Sequence, residues 1–335
     1  MLFFFKKFFF TVLLFTIFLN LSFSAGANDD FYLWLDSFKT QSQKKGISKK
    51  TIDIAFKNVR FIEKVLVYDR KQPEFYEDTI TYVNKRANKT RVRIANKLYR
   101  ENETLFLDVE KKFLVEKKIL LSLWGIETNF GKNVGKMDII SSLATLSFDE
   151  RRREYFSKEL FTVLKLIENN LINPEKLFGS WAGAFGNFQF MPSTIQNYAI
   201  DYDNNNKIEL KDSLQDSVAS AANYINKIGW KKGQPCFLRV NLSDNINNKY
   251  INSSARNISN RLKISQWVKK GVNGYDDAKL TEKFSSELKA ALIIPDGKPN
   301  TPAFLVFHNY EKILQWNRSL RFGISVCTLA NMIKT

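Results

Sequence analysis

Residues 119–127 read Ile-Leu-Leu-Ser-Leu-Trp-Gly-Ile-Glu, a helical segment apolar on nearly every side that ends in an ionisable carboxyl. A helix of that kind belongs in a core, so whatever this chain folds into is built around it. Glu127 then sits where a charge is costly. Burial disfavours the carboxylate and so does the negative end of the helix macrodipole, and both effects are expected to raise its pKa. A carboxyl that keeps its proton near neutral pH is suited to general acid work. The local pattern equally allows Glu127 to face solvent or to pair with a nearby Lys or Arg.

The surroundings divide by composition into a mainly α chain. Residues 28–114 are rich in Lys, Asn and Glu, with apolar residues at helical spacing (Ile52, Ala55, Val59, then Ile94, Leu98) and a single proline, Pro73, which reads as an N-terminal helical lobe. Across 115–233 apolar density rises and isolated glycines appear, the pattern of a catalytic core. Residues 234–302 change to short β-branched pieces such as Phe237-Leu-Arg-Val240 between Asn, Ser and Asp clusters, a small strand-containing α/β insertion. The end, 303–335, returns to helical character and is expected to pack back on the core.

At the N-terminus, Lys6 and Lys7 precede an apolar run from Phe8 to about Phe23, and Ala25-Gly26-Ala27 follows. Residues 1–27 therefore read as a secretory signal peptide, too short in its apolar part for an ordinary membrane span. The mature protein is expected to be soluble, with membrane contact only if the signal is retained as an anchor. Losing Lys6 and Lys7 takes the formal charge from +17 to +15. For an exported protein such a charge points away from nucleic acid and toward anionic lipid or acidic wall polymers. The lone histidine, His308, nearly excludes a histidine-dependent triad or a histidine-rich zinc site. Pairing of Cys236 with Cys327 stays open, and without a histidine close in sequence neither suits a nucleophile.

Further signals follow Glu127. Asn129-Phe130-Gly131 ends the helix, Arg151-Arg152-Arg153-Glu154-Tyr155-Phe156 lies on a later one, and Gly179-Ser180-Trp181-Ala182-Gly183-Ala184-Phe185-Gly186-Asn187-Phe188-Gln189-Phe190-Met191-Pro192 interleaves small residues with aromatics. Small residues would let backbone approach a ligand while rings stack on sugar faces; close helix packing is the alternative. Through Trp124–Gly131, Leu143–Phe148, Arg152–Phe156 and Gly183–Pro192 the chain resembles the lytic murein transglycosylase B family, whose catalytic domain is lysozyme-like. The likeness is close over about Leu120 to Trp230, returns at Trp316-Asn-Arg-Ser319, and is loose elsewhere.

That resemblance implies a periplasmic enzyme that cuts peptidoglycan glycan strands between N-acetylmuramic acid and N-acetylglucosamine. Glu127 would be the catalytic acid and then base, closing a 1,6-anhydro ring with help from the substrate's N-acetyl group. Ser180 and Gln189 would line the cleft, Tyr224 would contact sugar, and Arg151, Arg152 and Tyr155 would match a cleft-lining group. Trp316 stands where the family leads one to expect a tyrosine, which would keep sugar stacking but lose the hydroxyl's hydrogen bond. Other cell-wall enzymes are candidate partners. Asp138, Asp149, Glu150 and Glu154 remain candidates for a second acid. A hydrolytic muramidase and an idle wall-binding scaffold are the competing readings.

A separate constellation, Asp201 to Asp212, reads as a calcium loop, with Asp201, Asp203, Asn205, Glu209 and Asp212 as oxygen donors and Lys207 giving its backbone carbonyl. A structural Ca²⁺ is therefore expected, with no cofactor needed for the chemistry. A solvated Asx-rich turn is the alternative.

Overall fold

A computed structural model describes residues 28–71, 77–243, 246–275, 279–298 and 300–335, so the expected signal segment and Pro73 lie outside the described residues. The first part of the chain is helical: α1 (28–44), α2 (Lys49–Ala55), α3 (Glu63–Arg70), α4 (Thr79–Arg86), α5 (Lys89–Glu101), α6 (Glu103–Phe113) and α7 (Lys117–Thr128). Then come β1 (Met137–Asp138), α8 (Ile139–Phe148), α9 (Arg153–Glu168), β2 (Phe178–Gly179), α10 (Pro192–Tyr198) and α11 (Leu214–Lys227). Strands follow: β3 (Phe237–Leu242), β4 (Ile251–Asn252), β5 (Leu262–Lys263), α12 (Ile264–Lys269), β6 (Val272–Gly274), α13 (Leu280–Lys283), β7 (Lys289–Ile293) and β8 (Ala303–Val306). Helices α14 (His308–Trp316) and α15 (Leu320–Met332) close the chain. Among the described residues no helix is long and apolar enough to cross a membrane.

The chain forms two compact units. The first takes the chain up to Arg70 with 135–184 and 191–193, and is built on α8 packed against α9. Helix α8 is buried from Ile139 to Ser147, and the Asp138 carboxylate caps its start by accepting from the Ser141 amide at 2.6 Å. Phe31, Phe61 and Phe148 meet edge-on or tilted at 5.5–6.0 Å, which holds α1 to the end of α8.

The second unit takes 71–134, 185–190 and 194–335. Helix α7 packs against α15, α5, α6 and α11, and its residues Ile119 to Gly125 are buried. A helix apolar on all sides is accommodated by neighbours on all sides. The strands form one sheet in the order β4-β7-β8-β3-β6, with β5 also on β7; the β4–β7 pair is parallel and the others antiparallel. Its apolar face gathers Val240, Leu292, Leu305 and Phe307 around the fully buried Trp267, whose indole donates to the Ala290 carbonyl at 2.9 Å. Strand β8 falls in the segment read from sequence as part of the helical end. Ala303-Phe-Leu-Val306 is buried at every position, and a four-residue apolar run has no period by which to tell a buried strand from a helix. A Cys236–Cys327 disulfide joins the residue before β3 to the middle of α15, resolving the pairing that the sequence left open.

Candidate active site

Helix α7 ends abruptly one residue after Glu127. Asn129, Phe130 and Gly131 have φ of 50°, 60° and 81°, and the amides of Asn129 and Phe130 both turn back to the Trp124 carbonyl, the latter at 3.2 Å. Gly125 makes the turn possible, because a Cβ there would lie 2.7 Å from the Phe130 ring that folds over it. The Gly125 carbonyl instead accepts from Arg91 Nε on α5 at 3.1 Å, a cation at the negative end of the helix. Burial pushes the Arg91 pKa down.

Beyond the turn, Asn187 joins three segments. Its side-chain oxygen accepts from Trp124 Nε1 at 3.3 Å, its amide nitrogen donates to the Lys211 carbonyl at 3.0 Å and Ser217 Oγ at 3.1 Å, and its carbonyl accepts from Thr128 Oγ1 at 2.7 Å. The loop that carries it is a tight hairpin closed by reciprocal Phe185–Phe190 hydrogen bonds of 2.9 Å. Gly186, at φ +78°, lies so close to Leu210 that a Cβ would come within 2.4 Å of the Leu210 carbonyl oxygen. Gly183, at φ +85°, similarly meets the Leu143 side chain. These two glycines serve close packing, the alternative that the sequence also allowed.

Glu127 is half-buried, and its Oε1 accepts a 2.8 Å hydrogen bond from Trp316 Nε1. The tryptophan thus does supply a donor, directed at the carboxyl from the end of α14. Its ring lies 5.3 Å from Phe190 and 5.2 Å from Tyr224, and Tyr224 is 4.5 Å from Tyr198; the last two pairs are inclined by only 30°. Tyr224 is anchored through its hydroxyl to the Gln315 carbonyl at 3.1 Å. Tyr198, Tyr224 and Trp316 therefore form a row of half-buried rings leading to Glu127, of a kind that can take sugar faces. Gln189, at φ 51°, spends its side-chain NH₂ on the Val134 and Gly186 carbonyls at 3.1 and 3.0 Å.

The other expected substrate residues belong to the first unit. Ser180 Oγ accepts from the Ala182 and Ala184 amides at 3.2 and 2.9 Å, which leaves its proton to donate. Arg151 and Arg152 both bind Asp69 of α3, and Arg152 lies 5.0 Å over the half-exposed ring of Tyr155. The candidate second acids are engaged in this unit. Asp138 caps α8, Asp149 pairs with Arg70 at 2.7 Å, and Glu150 lies 4.0 Å from Arg153. Glu154 pairs with Lys158 at 2.6 Å, a hydrogen bond that lowers its pKa. A carboxyl held ionised in that way is poorly suited to deliver a proton.

In the acidic loop, carboxylate oxygens of Asp201, Asp203 and Asp216 lie within 4.8 Å of one another. Asp201 accepts from the Asn205 and Asn206 amides and Asn205 from that of Lys207, so the loop curls around its own side chains. Asp216 was not foreseen. It sits in the first turn of α11, fully buried, accepts from the Tyr202 and Glu209 amides at 2.8 and 2.9 Å, and desolvation raises its pKa. Glu209 and Asp212 lie outside this carboxylate cluster. The donor set is all oxygen, as a hard cation requires.

The family described as "Transglycosylase SLT domain" matches residues 30–331. The structure is similar to SltB3 from Pseudomonas aeruginosa in complex with NAG-NAM-pentapeptide, at 33% identity and a TM-score of 0.81, covering 90% of this chain and 79% of that one. It is also similar to the Escherichia coli lytic transglycosylase Slt35 in complex with calcium, at 26% identity and a TM-score of 0.74, covering 91% and 92% of the two chains. The membrane-bound lytic murein transglycosylase B of Escherichia coli (strain K12) is 42% identical over 128 residues, a match that spans 35% of that relative.

Proposed function

Since the chain belongs to the transglycosylase SLT domain family, we propose that it cuts the bond between N-acetylmuramic acid and N-acetylglucosamine in peptidoglycan without water, leaving 1,6-anhydro ends. The observation that carries this reading is the Glu127 carboxyl at the end of a buried helix, oriented by the Trp316 indole at 2.8 Å beside the row of Tyr224 and Tyr198. Two relatives named as lytic transglycosylases add to it, as does the likeness to SltB3, solved in complex with NAG-NAM-pentapeptide.

Glu127 acts twice. As an acid it gives its proton to the glycosidic oxygen, and the bond to the anomeric carbon breaks. The substrate's own N-acetyl group supports the cationic centre, so no second carboxylate is needed. Glu127, now ionised, takes the proton of the C6 hydroxyl as that oxygen closes on the anomeric carbon. The carboxyl is again protonated and the cycle is balanced.

The same proposal includes a structural calcium ion on the loop, held by Asp201, Asp203 and Asp216 with Asn205 and the Lys207 carbonyl. Three converging carboxylates, one of them fully buried, repel one another, and a divalent cation would relieve that repulsion. The protein's place of action is then the periplasm, reached through the leader read in residues 1–27.

Release of soluble fragments from purified sacculi tests the catalytic reading. The wild-type protein is expected to release them, and Glu127→Gln, melting at the same temperature, is expected to release none. Tight wall binding without release by the wild type would instead favour a scaffold.

A further inference from the structure

Within the second unit, a cleft of about 780 Å³ opens at one end of the sheet, between the end of β3, the chain around Ser253 and the segment 294–302. It shares no lining residue with the row of rings beside Glu127. Two cations line it, Arg239 and Lys298. The Arg239 guanidinium lies 3.7 Å over the half-exposed ring of Tyr275, and the Tyr275 amide donates to the Arg239 carbonyl at 3.3 Å, so ring and cation are held together. Asn241 Nδ2 donates to the Tyr275 carbonyl at 3.4 Å. None of the described lining residues is acidic, and neither cation forms an ion pair with a described residue. Other cations of the same part of the chain are paired: Arg261 with Glu311, Lys263 with Glu287 and Lys279 with Glu282.

One wall of the cleft is clamped in place. Asp296, in the segment that forms it, accepts from the Thr79 amide at 3.1 Å, from Thr79 Oγ1 at 2.6 Å and from Arg321 Nη2 at 2.7 Å, which ties that wall to α4 and α15. The opposite wall offers backbone. Strand β8 starts at Ala303, opposite Val240, so β3 runs two residues past that pairing. Among the described strands, Asn241 and Leu242 are laddered to β6 alone and turn an open edge to the cleft. An extended peptide can pair with such an edge while its carboxylates meet the two cations. A cleft of this size takes a ligand of a few residues rather than a polymer strand.

We infer that this cleft receives a peptide stem of the wall polymer, with its carboxylates on Arg239 and Lys298 and its amides along the edge of Asn241 and Leu242. The inference rests on the peptidoglycan reading above. The polymer which that reading assigns as substrate carries short peptides with free carboxylates, and these match the size, the charge and the open edge. A stem docked here gives the protein a hold on the wall separate from the residues around Glu127.

Calorimetric titration of the purified protein with free tetrapeptide stem, cut from its sugar by an amidase, tests this directly, because a peptide without glycan is no substrate. Binding is expected. Converting every stem carboxylate to its methylamide should raise Kd at least about tenfold, and so should Arg239→Gln with Lys298→Gln. Lys298→Glu alone alters an exposed side chain outside the strands and is expected to weaken binding similarly, which covers a failure of the double variant to fold. No binding by the wild type, or a Kd that either the variants or methylamidation leaves unchanged, would overturn the inference. Equal affinity for an all-L acidic peptide of the same length and charge would overturn the stem assignment in favour of a protein segment. Release of fragments from sacculi by the same preparation reads the catalytic proposal separately. Release without stem binding sinks only this inference, and stem binding without release sinks only the catalytic reading.

Discussion

At the scale of single residues, the interaction between Glu127 and Trp316 organises the site. The indole donates at 2.8 Å to a half-buried carboxyl at the end of α7. Trp316→Phe keeps the ring that meets Tyr224 and Phe190 but removes the donor. A hydrogen bond to a charged partner contributes about 1.5 kcal/mol, so kcat is expected to fall about tenfold with KM nearly unchanged. Steady-state rates on soluble glycan strands check this, and a KM increase without a kcat change would assign Trp316 to sugar stacking alone. The position of Glu127 at the end of an apolar helix was legible from nine consecutive residues. Its partner was not, because 189 residues separate the two and only tertiary packing brings them together. Asp69 left a fainter trace, an acid on the apolar stripe of a short helix.

At the scale of elements, the end of α7 and the hairpin 185–190 hold each other through Asn187, Thr128 and Gly186. The interleaved glycines and aromatics marked this stretch in the sequence, yet Gly186 approaches the Leu210 backbone, a contact that no local pattern encodes. Gly186→Ala would bring a methyl within 2.4 Å of a carbonyl oxygen at a left-handed φ of +78°. A loss of about 2 kcal/mol or more is expected, read as a lower melting temperature in calorimetry. The loop from Asp201 to Asp216 belongs to the same scale. Its first half was legible because its donors follow one another at alternate positions. Asp216 was not, since it reaches the cluster from a helix beyond the loop. Added calcium is expected to raise the melting temperature of chelator-treated protein, by the equivalent of about 2.7 kcal/mol at a hundredfold excess over Kd. Asp201→Asn with Asp203→Asn should abolish that rise, and an unchanged melting temperature in the parent protein would mean a plain Asx-rich turn.

At the scale of the whole molecule, the mainly helical class followed from helical spacing of apolar residues, and the strand-containing insertion from short β-branched pieces set between Asn, Ser and Asp clusters. The sheet's extension through β8 did not, because an apolar run buried on both faces carries no alternation. The disulfide fastens the start of that sheet to α15, which packs on α7. Closing a 91-residue loop removes unfolded-state freedom worth about 4.6 kcal/mol in the chain-entropy picture. Cys236→Ser with Cys327→Ser is therefore expected to melt several degrees lower, and reductant should lower the parent toward the same value.

The most direct test of the proposed chemistry is digestion of peptidoglycan in water enriched in oxygen-18, followed by mass spectrometry of the released muropeptides. Intramolecular closure by the C6 hydroxyl predicts anhydro-muramoyl products that carry no heavy oxygen and vanish with Glu127→Gln. Reducing ends that carry one heavy oxygen would show that water attacks, and that the protein is a muramidase.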